Sequence, residues 1–220
     1  MVRSFVKPLV VVEPAQLVFR PSQKGAGPSQ DLHIKGRFEG FKVSRVTTTD
    51  PDIFSLEIID NGTIQEGEDT LYDQIIRVTL SANAKPGSHH TELSIRTNDP
   101  EKPIFSVTSY AQVHGDLKMI PTRMTLGRLV VGDSFDISIH IRTVTGEGFE
   151  ITNASTNTVA LDAEYTFEPV DPEVRNDWIV RAKGTAVNVA PRFNSLLHLV
   201  TNVVDEEQVT IQMYGQIRRN

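Results

Sequence analysis

The chain has no cysteine. Neither a disulfide framework nor thiolate metal ligation is open to it, and cysteine usage says nothing about its redox compartment. It also lacks a basic block: 22 Lys and Arg stand against 28 Asp and Glu, for a formal net charge of −6. Residues 1 to 116 carry 12 basic and 15 acidic side chains and residues 117 to 220 carry 10 and 13, so each half is −3. Phosphate binding depends on clustered Lys and Arg, so neither nucleic acid nor an anionic membrane surface is an expected partner. Long hydrophobic runs are missing as well. The longest near the start, Pro8 to Val12, is far shorter than a signal-peptide core or a membrane span, so no export, anchoring or membrane-inserted segment is expected in the sequence as it stands; the signal of an exported protein would lie upstream or have been removed. Aromatic residues make up only 7% of the 220, with a single Trp.

What the chain does have is an internal repeat. Pro14, Leu17, Phe19, Leu32, His33 and Ile34 match Pro121, Met124, Leu126, Ile139, His140 and Ile141, 107 positions later. Gly40 to Val43 align with Gly148 to Ile151 at an offset of 108, and Ile75 to Arg77 with Ile179 to Arg181 at 104. Thr97-Asn98 falls on Thr201-Asn202, and aligning Gly115 with Gly215 implies that the second copy lost four residues in the hairpin after Asn202.

Inside each copy the hydrophobic period is two, and helical periodicity is absent. Phe135, Ile137, Ile139 and Ile141 alternate with Asp136, Ser138, His140 and Arg142, and Thr91, Leu93, Ile95 and Thr97 alternate with His90, Glu92, Ser94 and Arg96. Successive strand side chains point to opposite faces, so one face of each strand is apolar. Leu17 to Arg20, Leu32 to Arg37, Phe41 to Thr47, Phe54 to Ile58, Ile75 to Leu80, Thr91 to Thr97 and Phe105 to Val113 read as seven strands in the first copy. Pro28-Ser29, Asp50-Pro51-Asp52, Asn61-Gly62, Pro86-Gly87 and Asn98-Asp99-Pro100 read as turns between them. Seven short strands in one copy predict an all-β fold: two immunoglobulin-like antiparallel β-sandwich domains in tandem, at residues 1–116 and 117–220. The junction, Val113 to Leu117, has no Pro/Ser/Gly-rich linker and is expected to be short and only modestly flexible.

The segments PGSHHTELSIRTNDPEKPIFSVTSYAQVHG, IPTRMTLGRLVVGDSFDISIHIRT and GFEI resemble the bacterial proteins of the domain-of-unknown-function 1573 type, which carry Ig-like sandwiches in tandem. The resemblance covers both copies. It rests on framework features: the Pro-Gly turn, the strand ending Thr-Asn-Asp-Pro, the closing Gly and the Pro-x-x-Met/Leu-x-Leu/Phe opening. Many members of that family have a Cys-Gly-Cys segment after the third strand, where this chain has Thr48, Thr49 and Asp50, which removes any metal or redox role that segment would imply. The resemblance implies a bacterial, often extracytoplasmic, non-enzymatic protein and supplies no activity.

Each chemistry-bearing pattern has a plainer reading. Thr97 to Glu101 offers oxygens that calcium could use, but copy two has Val203-Val204 where copy one has Asp99-Pro100, so a turn is expected. Gly132-Asp133-Ser134-Phe135 resembles the nucleophile block of GDS-type esterases, yet no helix follows and no Asp-x-x-His occurs near the C-terminus. His89 and His90 are adjacent and point to opposite strand faces, while His33 and His140 are equivalent outward positions of separate copies; surface or interface histidines are expected rather than a metal site. Trp178, aligned with Gln74, has inward parity and is expected at the core edge. Glu66 to Asp69 is expected to be a solvated loop, and the Asn61 and Asn153 glycosylation patterns would be idle in a bacterium. No catalytic, cofactor or metal site is expected.

One outward face does stand out. Glu92, Ser94 and Arg96 of copy one become Leu196, His198 and Val200 in copy two, and the adjacent last strand adds Thr210, Gln212 and Tyr214. An apolar patch rimmed by polar groups is a typical protein-contact surface. The favoured function is therefore a non-catalytic structural or protein-interaction module of a bacterial envelope or secreted assembly, binding a protein partner or neighbouring repeat domains. A carbohydrate-binding module is the first alternative, which exposed aromatics on a sheet face would favour, and a hydrolase is the second.

Overall fold

The structure, a computed structural model, describes residues 8–219. The expected domain limits at residues 1 and 220 therefore lie outside the described residues. The first unit contains β1 (Val10–Glu13), β2 (Gln16–Val18), β3 (Ser22–Gln23), β4 (Ser29–Gly36), β5 (Val43–Thr48), β6 (Phe54–Glu66), β7 (Asp69–Leu80), β8 (Gly87–Thr97) and β9 (Ile104–His114). The second contains β10 (Leu117–Ile120), β11 (Arg123–Val130), β12 (Ser134–Thr143), β13 (Ile151–Thr156), β14 (Leu161–Pro169), β15 (Asp177–Ala186), β16 (Ala190–Thr201) and β17 (Gln208–Arg218). The first compact unit ends at His114 and the second begins at Gly115.

Period-two patterning forces each strand to bury one face, and two sheets facing each other meet that demand. In the first unit the strand orders are β1-β4-β7-β6 and β2-β9-β8-β5, with β3 also on β9; in the second they are β10-β12-β15-β14 and β11-β17-β16-β13. The fold is all-β, with immunoglobulin-like antiparallel sandwiches in tandem. The opening strand of each unit is in two pieces. β1 pairs antiparallel with β4, and after Pro14 the chain changes sheets so that β2 runs parallel to β9. β10 and β11 repeat this about Pro121, pairing with β12 and β17. Proline has no N–H to give to a ladder, which suits it to the point where the chain leaves one sheet for the other.

The interiors follow the sequence parity. Leu17, Leu32, Ile34, Phe54, Ile76, Leu93 and Ile95 fill the first, and Met124, Ile139, Ile141, Trp178, Val180, Leu197 and Ile211 fill the second. β8 buries Thr91, Leu93, Ile95 and Thr97 while exposing Glu92, Ser94 and Arg96; β16 buries Ser195, Leu197 and Leu199 while exposing Leu196, His198 and Val200.

Three expectations are corrected. The first unit has two short strands that the seven-strand reading omitted, Val10–Glu13 and Ser22–Gln23. Asn61-Gly62 is not a turn: β6 runs on to Glu66 and β7 starts at Asp69, so the expected acidic loop is the tip of a paired hairpin arm. The reason is a bulge between Asp60 and Gly62. Gly62 takes φ +75° and its N–H donates to Asp60 Oδ1 at 3.0 Å, while Asn61 Nδ2 donates to Asp73 Oδ2 at 2.8 Å. The polar pair absorbs one extra residue instead of reversing the chain. Finally, the hairpin after Asn202 has lost nothing. Leu93 pairs with Val107 and Leu197 with Ile211, both at an offset of 104, which makes Tyr110, not a residue further on, the counterpart of Tyr214. The missing length lies in the other hairpin: Ile58 pairs with Ile76, 18 residues on, whereas their counterparts Phe167 and Val180 are 13 apart.

Leu93 and Leu197 are both fully buried at equivalent positions. Leu93→Ala and Leu197→Ala should each cost their own unit roughly 2 to 5 kcal/mol, the usual price of a buried leucine side chain. Urea denaturation reads this directly, and a change within about 0.5 kcal/mol at either site, as at exposed positions, would mean that the parity is wrong.

Candidate interaction face

The central strands of the β11-β17-β16-β13 sheet are β16 and β17, and their antiparallel register sets Leu196 opposite Gln212, His198 opposite Thr210, Asn194 opposite Tyr214 and Val200 opposite Gln208. All six expected patch residues share one outward face. Leu196 and Val200 are 42% and 39% exposed. Around them the side chains hold one another: His198 Nδ1 and Thr210 Oγ1 lie 3.4 Å apart, and Gln212 Nε2 donates to Asn194 Oδ1 at 3.2 Å. Arg123 of β11 lies over the Tyr214 ring, 4.8 Å from its centroid, an arrangement the ring quadrupole favours. Exposed Asn153 and Ser155 of β13 complete the edge, opposite Val200 and His198. The resulting face carries amides, hydroxyls and two aliphatic side chains, with Arg123 at one side.

Its counterpart in the first unit differs. Tyr110 faces His90 across the β8–β9 pair, stacked with ring centroids 6.3 Å apart, and stays 46% exposed. Val18, Pro21, His89, His90, Tyr110 and Gln112 border a cleft of about 310 Å³ there.

The other candidates take structural roles. Asp99 is buried, and its Oδ1 accepts from the N–H groups of Glu101 at 2.9 Å and Lys102 at 3.3 Å, so its oxygen closes the turn. Ser134 opens β12 beside Phe135, Asp136, Lys183, Gly184 and Thr185, none of which is a histidine. Trp178 is buried and donates from Nε1 to the Phe149 carbonyl at 3.0 Å; its counterpart Gln74 accepts from the Val43 N–H at 2.7 Å. The same inward position thus anchors the start of the next sheet's edge in both units, by opposite polarity.

The histidine reading missed a repeated pair. His33 Nδ1 lies 2.8 Å from Asp73 Oδ2 and His140 Nδ1 lies 3.0 Å from Asp177 Oδ1, each pair diagonal across a strand ladder. The signal was present: the two histidines and the two aspartates repeat at the offsets of their strands. Arg77 and Arg181 also repeat. Arg77 grips Asp31 with two hydrogen bonds of 2.8 and 2.9 Å, and Arg181 grips Asp136 with 2.5 and 2.7 Å. These guanidinium hydrogen bonds hold both carboxyls below the usual carboxylate range.

Neither a family model nor a curated protein matches the chain. Among solved structures, a protein of unknown function from Porphyromonas gingivalis W83 is 14% identical, covering 95% of this chain and 100% of that one at a TM-score of 0.35. The titin I-band fragment I67-I69 is 6% identical over 97% of this chain and 67% of that one, at 0.36. The sialic acid binding region of a Streptococcus sanguinis SK1 adhesin is 9% identical over 96% and 78%, at 0.30. These low likenesses assign no activity to the chain.

A carboxylate whose pKa is depressed by folding adds stability that is present above its unfolded pKa and lost as pH falls through the folded one. Asp31→Asn should therefore flatten the acid limb of the first unit's stability below about pH 4. Denaturation midpoints measured between neutral and acid pH test this; an unchanged acid limb would show that the Arg77 pair is not coupled to folding.

Proposed function

We propose that the chain is a non-catalytic protein-interaction module of a bacterial envelope or secreted assembly, presenting the β16–β17 face of its second unit to a protein partner or a neighbouring repeat domain. The observation that carries this is a substitution between equivalent positions. Glu92 and Arg96 of β8 become Leu196 and Val200 of β16, both outward and about two-fifths exposed. Two charges have left a solvated face whose interior residues did not need the change. Removing charge from the middle of a patch while keeping amides and hydroxyls at its rim is what a protein interface requires. The compartment is inferred from the framework resemblance.

Catalysis finds little support. The Ser134 surroundings hold no histidine and their carboxylate, Asp136, is taken up by Arg181, and neither His–Asp pair has a nucleophile bonded to the remaining ring nitrogen among the described residues. One observation favours carbohydrate binding: Tyr110, 46% exposed, stands beside the first unit's cleft, and glycan-array binding lost in Tyr110→Ala would move the assignment there.

The test is the double replacement Leu196→Glu with Val200→Arg, which installs the first unit's residues. Self-association by sedimentation velocity, or capture of partners, should fall while the melting temperature stays within a few degrees, as expected of exposed positions. A clear drop in melting temperature would place the face in an intramolecular contact, and no change in either quantity would sink the proposal.

A further inference from the structure

The corresponding outward face of the first unit sets two positive charges side by side, with the carboxylate of that face of β8, Glu92, lying beyond Ser94. Arg45 of β5 and Arg96 of β8 are direct cross-strand neighbours, both exposed. Neither guanidinium has a hydrogen bond or ion pair among the described residues, unlike Arg77 and Arg181 on their carboxylates. Like charges set directly opposite each other destabilise a sheet. Arg45 is turned to this face by a bulge between Val43 and Arg45, pinned where Ser44 Oγ donates to the Arg96 carbonyl at 3.1 Å.

The next pair along the same ladder is Thr47 opposite Ser94, whose hydroxyls are likewise unbonded among the described residues. Together with Ile104, the four side chains line a depression of about 400 Å³. Two guanidinium forks and two hydroxyls, supplied from two strands, provide more donors than a carboxylate has oxygens to engage, and match a tetrahedral dianion. The fold does not demand them: the second unit places Asn153 opposite Val200 and Ser155 opposite His198 at the same positions.

We propose that Arg45, Arg96, Thr47 and Ser94 form an anion site for a sulfate or phosphate group. The site goes beyond the interaction reading, and because it lies in the first unit it stands or falls separately from the β16–β17 face. The test is an amide and arginine side-chain NMR titration of the full chain with inorganic sulfate, inorganic phosphate and methyl phosphate, ionic strength being held constant with chloride. Saturable shifts are expected at Thr47, Ser94 and Arg96, with a dissociation constant in roughly the millimolar range. The double variant Arg45→Asn with Arg96→Val, which carries the second unit's residues, should bind at least about tenfold more weakly. Thr47→Ala with Ser94→Ala keeps both charges, and weaker binding there would show that the hydroxyls take part. Methyl phosphate binding as well as the inorganic ions assigns a group carried on a larger molecule; binding of the inorganic ions alone assigns a free ion. No saturable shift, or shifts that persist unchanged in the double arginine variant, would overturn the proposal.

Discussion

Everything in this molecule depends on strands that must bury every second side chain between two sheets. That single constraint explains why Leu93 and Leu197, or Ile139 and Ile141, are fully excluded from water while their immediate neighbours are not. Burial of apolar surface is worth about 25 cal/mol per Å², so a one-residue slip would exchange the whole apolar set of a strand for its polar set. The interior positions of the two units are thereby tied to burial, even where the residue differs, as at Gln74 and Trp178. The outward ones are free to keep a polar pair, as at His33 and His140, or to change, as at Glu92 against Leu196, Arg96 against Val200 and Arg45 against Asn153.

New chemistry enters where the alternation is interrupted. The bulges at Ser44 and at its counterpart Thr152 turn Arg45 and Asn153 to the outer face, which puts a charge there in the first unit and a neutral amide in the second. The bulge at Asp60 to Gly62 lengthens a hairpin and brings Asn61 onto the buried Asp73, which also receives His33. Changing sheets at Pro14 and Pro121 gives each unit a parallel edge, made by β2 and β3 on β9 in the first and by β11 on β17 in the second. Through the second of these, Arg123 reaches the Tyr214 ring, while Tyr110, whose equivalent neighbour is Gln16, stays open.

This division accounts for what the sequence disclosed. Most strands, their inward faces and the outward parity shared by Leu196, His198, Val200, Thr210, Gln212 and Tyr214 are legible because period-two patterning is local and the repeat supplies a second reading of each strand. Asn61-Gly62 was misread because the same two residues serve a turn or a bulge, and only the ladder on either side decides which. Gly115 and Gly215 were misaligned because a small residue matched by identity outweighed the register, which places Gly215 at the position of Ala111. The Arg45–Arg96 pair and the two His–Asp pairs depend on cross-strand register, information that no single strand contains.

That strand parity decides which side chains are buried has a direct test, because the chain has no cysteine of its own. Single cysteines placed in turn at positions 193 to 200 of β16 would each be the only thiol present, and their labelling rates by a soluble reagent would report access one residue at a time. A strict two-residue oscillation is expected, with positions 194, 196, 198 and 200 labelling at least about tenfold faster than 193, 195, 197 and 199, whose thiols require local opening to react. A uniform profile, or an oscillation of the opposite phase, would contradict it.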